Sequence, residues 1–130
     1  KQDWHNLSHH GQDEMKIEEL TLIEKAEFAE LARLFSLLKS APEAGRTLLD
    51  QTIVLAGSNL GNASSHSWRD LPVLVAGGGF RHGQHLVAGG KGHDNARFAN
   101  LFVQIAQRLD VGLETFGSST ASSITGFETL

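Results

Sequence analysis

Apolar residues are sparse at the start of the chain: Lys1 to Gly11 is mostly polar, with an aromatic Trp4, and it reads as a loop closed by Gly11. A long helical pattern follows. Asp13 is placed to cap it and Glu14 to occupy the first turn, where a carboxylate meets the positive end of the helix dipole. Ile17, Leu20, Ile23, Phe28, Leu31, Leu34, Phe35 and Leu38 then fall on one arc of about 140° at the α-helical period, which predicts a core-facing stripe. Glu24 and Glu27 share that arc and are expected at its edge, because carboxylates are seldom buried. Glu18, Lys25, Glu30 and Arg33 take the opposite face. Pro42 ends the helix near Lys39 or Ser40, since the residue before proline is pushed out of the α region.

Downstream the period changes. A connector from Glu43 to Gln51 leads to Thr52-Ile53-Val54-Leu55-Ala56, a short and partly β-branched run that reads as a buried strand ending at Gly57. A polar loop from Ser58 to Leu71 precedes a second such run, Pro72 to Ala76, which ends in Gly77-Gly78-Gly79. The Gly- and His-rich stretch from Phe80 to His93 reads as a mobile loop. Asp94 or Asn95 is placed to cap a second helix, Ala96 to Leu109, with Phe98, Leu101, Phe102, Ile105 and Leu109 on its apolar face. Leu113 to Leu130 is a tail, expected to be flexible, whose Ser118 to Thr125 section is too polar to fold by itself.

The order helix, strand, strand, helix gives an α/β class. Two strands rarely make a stable sheet, so its completion by other residues or by another chain is expected. By length, 130 residues form a single α/β domain or the C-terminal fragment of a larger one. The apolar fraction of 40% is enough for an ordinary core, and a net charge of −4 without clustered Lys and Arg argues against a nucleic-acid surface. No apolar run approaches the ~20 residues of a membrane span. The first residue is Lys1 rather than Met, as expected of a mature or cut piece of a longer protein. A removed leader would leave no trace, so export is compatible with this chain.

Composition also narrows the chemistry. With no cysteine there is neither disulfide nor thiolate, and any transition-metal site must draw on His, Asp, Glu or Asn. Three histidines, His5, His9 and His10, lie within six residues. On a helix the spacing of His5 and His9 places both rings on one face, and in a loop it still lets them converge on one ion. His10 can replace either, and solvated loop histidines are the plain alternative. His66, in the loop after the first strand, is the candidate third ligand, because ligands gather beyond the carboxyl ends of strands in open α/β sheets. Asn59 and Asp70 share that loop as oxygen ligands or as hydrogen-bonding partners of an imidazole.

Other motifs fail. Gly77 to Gly83 does not match a dinucleotide or Walker loop, and tight turning explains its glycines. Arg81, His82 and His85 are the residues there that would meet an anionic substrate, and exposed residues of a mobile loop are the plainer alternative. No Gly-x-Ser-x-Gly elbow occurs, so a Ser-His-Asp hydrolase has no support.

His5-Asn6-Leu7-Ser8-His9-His10-Gly11, Thr47-Leu48-Leu49-Asp50, Ser58-Asn59-Leu60-Gly61-Asn62, and His66 ahead of Leu71-Pro72-Val73-Leu74-Val75-Ala76-Gly77-Gly78-Gly79 together resemble an uncharacterised bacterial family, domain of unknown function 1552. The likeness covers nearly the whole chain as the C-terminal part of a longer protein. That family in turn looks like a distant relative of the alkaline phosphatase and sulfatase superfamily. The resemblance implies a partial alkaline-phosphatase-like unit in which His5, His9 and His66 match three ligand positions of one divalent ion, zinc above all. It also implies a phosphate or sulfate ester as substrate, and a nucleophile supplied by the N-terminal part, so that this fragment alone is inactive. Where phosphatases carry Asp-His after the first strand, this chain has Ser58-Asn59, which puts a two-metal mechanism in doubt. The alternative is a non-catalytic metal-binding or assembly module, partnered by the missing N-terminal part or by a second copy.

Overall fold

The computed structural model describes residues 3–89 and 96–129. Its elements in chain order are α1 (Trp4–Ser8), α2 (Glu14–Ser40), β1 (Pro42–Glu43), β2 (Arg46–Thr47), a 3-10 turn (Leu48–Gln51), β3 (Ile53–Gly57), β4 (Val73–Gly77) and α3 (Phe98–Arg108). The architecture is mixed, helices with two small antiparallel strand pairs, which is α/β in the general sense.

The first correction falls at the N-terminus, where the expected loop contains a helix. Asp3 caps α1 by accepting the Asn6 N–H at 2.8 Å, and Leu7 and Ser8 are buried. α1 packs on α2. The link between them turns through residues at positive φ, Gly11 and Gln12, and Asp13 then caps α2 by accepting the N–H groups of Met15 and Lys16.

α2 keeps the boundaries its sequence dictates, from the Asp13 cap to the residues before Pro42. Its stripe does not become core: no residue of the helix is buried, and Phe28 is 60% exposed. At 27 residues the helix is about 40 Å long, and two-stranded pairs present too little surface to cover it. On the side away from the stripe, Leu22 and Leu37 are also exposed.

β3 and β4 pair with each other, one residue later than their sequence patterns placed them. Ser58 N–H donates to the Pro72 carbonyl, a side chain at Gly57 would meet Pro72 and Val73, and one at Gly78 would meet Ile53, so the strands run in opposite directions. Neither is the fully buried strand its apolar run predicted: each is only partly covered, and Gly77 is the one buried residue between them. Pro42–Glu43 and Arg46–Thr47 form a further tiny hairpin inside the expected connector.

Contacts divide the chain into two compact units: residues 1–49 with 55–75, and residues 50–54 with 76–130. The second unit holds most of the buried apolar residues: Phe80, Leu101, Val103 and Phe127. Phe80 and Phe127 stack with centroids 4.4 Å apart, and Phe102 lies against both Phe98 and Phe116. α3 begins at Phe98, with Arg97 at its cap position making no side-chain capping hydrogen bond; the expected caps Asp94 and Asn95 lie outside the described residues. The Ser/Thr-rich tail is fastened to α3 by side chains. Buried Asn100 accepts the N–H groups of Thr120 and Ala121, and Gln104 accepts that of Ile124.

Candidate metal centre

Three imidazoles come together in the first unit. His9 stands at the C-cap of α1, and its N–H donates to the His5 carbonyl at 3.3 Å, so one turn of helix brings the two rings edge to face with centroids 4.7 Å apart. His66, 57 positions further on, meets them from the β3–β4 connection. Its ring is 4.8 Å from that of His9, and the two Nε2 atoms are 3.2 Å apart.

The placement of His66 has local causes. Gly61 N–H and Ser67 N–H donate to the carbonyls of Ser67 and Asn62, closing the loop on itself. Gly61 is needed there because a Cβ would collide with the Arg69 carbonyl. Asn62 Oδ1 accepts the Ser65 N–H, and His66 adopts φ +52°, a left-handed conformation uncommon for a residue with a side chain. Ser64 Oγ then accepts the Gly11 N–H at 3.1 Å and ties this loop to the turn after α1. His66 therefore reaches the cluster from the connection of an antiparallel pair, which replaces the strand-end rule by which the sequence nominated it.

His9 is held below the ordinary imidazole value of 6.5, by partial burial first and then by the neighbouring rings of His5 and His66 and the ammonium of Lys16. The lowering favours the neutral form, the one that ligates metals. Among the described residues, no three His, Asp or Glu side chains stand in the geometry of a formed metal site. The pair that comes nearest is His9 with His66. Two nitrogens on one tetrahedral zinc, each about 2.0–2.1 Å from the ion, are about 3.3 Å apart. The observed 3.2 Å fits that spacing.

The remaining nominated residues are placed differently. His10 Nδ1 accepts the Gln12 N–H at 3.1 Å and so belongs to the turn between the helices. Asn59 and Asp70 open and close the exposed loop that carries His66, Asp70 at positive φ. In the second unit His82 Nε2 lies 3.0 Å from the Gly77 nitrogen and 3.1 Å from its oxygen, bracing the glycine turn whose three residues all have positive φ. The Arg81 N–H donates to Glu128, and His85 is exposed. A cleft of about 510 Å³ in that unit is lined by Gln104, Arg108, Thr125 and Glu128 among others, and by none of the clustered histidines.

Sequence reasoning missed Ser64 and Lys16, whose parts depend on contacts across 53 and 10 positions. Comparison with protein-family models, with curated proteins and with solved structures finds no match.

Proposed function

We propose that His5, His9 and His66 hold one divalent transition ion, zinc by preference, in a chain that forms part of a metal-dependent ester hydrolase of the alkaline phosphatase and sulfatase type. The observation that carries the reading is the 3.2 Å between the Nε2 atoms of His9 and His66, a hydrogen-bonding distance that is also close to the separation of two ligands on one ion. His5 is exposed on the adjacent turn, its ring 4.7 Å from that of His9, and is the third imidazole of the reading. Three neutral imidazoles leave a fourth position open, as catalytic zinc sites do. Zinc bound there supplies Lewis-acid polarisation of an ester oxygen. The chain's own residues orient the rings, through the Asp3 cap, the Ser64 tether and the closed 61–67 loop. The ester chemistry rests on the resemblance, and no nucleophile is assigned within these 130 residues. Metal analysis after equilibrium dialysis tests the site: wild type should bind one zinc per chain and His66→Ala far less, whereas equal substoichiometric zinc in both would sink the reading.

A second reading is favoured by the surface of α2. Exposed Leu22 (68%), Phe28 and Leu37 (58%) make the helix a surface for assembly, with the site a degenerate metal-binding module. Sedimentation equilibrium checks the homo-oligomeric form of this reading: a concentration-dependent dimer supports it, and a monomer throughout the micromolar range rejects it.

A further inference from the structure

α2 carries a second stripe, on the side away from its predicted core face. Glu19, Leu22, Ala26, Ala29 and Arg33 follow one another three and four positions apart, the heptad spacing of a seam between helices. Met15 precedes them by four positions and Leu37 follows by four, so that all seven share an arc of about 80°. All seven are exposed, and Met15, Leu22 and Leu37 each by more than half. α1 leaves this stripe open: its Asn6 contact is with Lys16, about 100° round the helix from Met15. A solvated helix face is normally polar, so three large apolar side chains at seam spacing call for a cover.

The stripe is complementary to itself. Glu19 and Arg33 lie seven positions either side of Ala26, and Met15 and Leu37 eleven either side. Turning the helix end for end about Ala26 therefore lays Glu19 on Arg33 and Met15 on Leu37 of an identical helix, twice each, as a twofold interface requires. Leu22 then falls beside Ala29 of the other copy, a large side chain against a small one, and Ala26 at the axis has no bulk to hold the helices apart. The seam from Met15 to Leu37 is about 33 Å long. A parallel arrangement does the opposite, setting Glu19 against Glu19 and Arg33 against Arg33. Arg33 is available for the exchange, because its pair with Glu30 at 3.4 Å lies in solvent, with side chains 71% and 74% exposed, and such pairs are weak.

We propose that a second copy of this chain docks antiparallel on this face of α2, with the twofold axis at Ala26 and two Glu19–Arg33 ion pairs fixing the register. This rests on the assembly reading of α2, to which it adds the face, the partner and the direction, and it asks nothing of the histidine cluster. Phe28, on the predicted core stripe, takes no part. The charges set orientation and register, while the apolar side chains supply the contact that draws the copies together.

The test compares the whole wild-type chain with Glu19→Arg, Arg33→Glu and the double variant that carries both, by sedimentation equilibrium at low ionic strength, with circular dichroism to show that the helix is kept. Each single reversal sets like charges together at two places and should weaken dimerisation about tenfold or more. The double variant restores opposite charges and should return to within about threefold of wild type. Net charge does not mimic this result, because one reversal lowers the negative charge of the chain and the other raises it. A dimer that neither single reversal weakens overturns the seam and leaves the assembly reading standing. A dimer weakened by the single reversals and not restored by the double variant overturns the antiparallel register. A wild type that stays monomeric throughout the micromolar range overturns the seam and the homo-oligomeric reading together.

Discussion

The two units of this chain are held together in different ways. The second is held by aromatic and aliphatic packing, with Phe80 and Val103 fully enclosed and Phe127 stacked on Phe80. The first encloses only Leu7 among the large apolar residues described, and backbone N–H groups that donate to Asp3, Asn62 and Ser64 fix the segments carrying its histidines. A region built this way orients polar side chains toward solvent, but each such bond adds only about 1 kcal/mol net. The difference teaches that the histidine cluster is a surface construction on a lightly packed support, and that altering it should leave the aromatic core intact.

The sharpest way to break the comparison is to remove the largest enclosed side chain. Phe80→Ala should cost about 3–5 kcal/mol, since truncation loses both the transfer energy and the packing around the cavity, and urea denaturation checks it. His66→Ala, at an exposed position, should stay within about 1 kcal/mol of wild type in the same experiment. Equal losses at the two positions would erase the distinction between the units.

A smaller effect sharpens the electrostatic side. Because the folded pKa of His9 lies below 6.5, the unfolded chain binds more protons as pH falls through that range, and stability drops with it. Above 6.5 the contribution is fully present; it is lost as pH passes down through the lowered folded value. His9→Gln should flatten that part of the stability profile between pH 7 and 5 relative to wild type. A parallel decline in both proteins would mean that the ring neighbours of His9 do not oppose its protonation.

Much of the secondary structure was legible because strong local signals set it. The Asp13 cap and Pro42 bounded α2, and period-3.6 apolar spacing found α3 to within two residues at each end. α1 was not legible: five residues are too few for a period, and the burial of Leu7 together with the Asp3 cap decides it. Periodicity also identified the apolar arc of α2 without saying whether anything covers it, which is a property of the surroundings rather than of the helix. Strand direction escaped for a related reason, since composition suggested buried runs while the link from Ser58 to Pro72 lets the chain fold back antiparallel. For the site, residue types pointed to His5, His9 and His66, but their closeness depends on the left-handed turn at His66 and on the Ser64 tether, neither of which has a spacing signature.

Zinc stoichiometry bears most directly on the central claim. Purified wild type, dialysed against buffered micromolar zinc at pH 7.5 and then analysed for metal, should carry one ion per chain. His9→Ala and His66→Ala should each lose it, while in metal-free buffer each unfolds within about 1 kcal/mol of metal-free wild type. Wild type that carries no more zinc than the two variants would contradict the account.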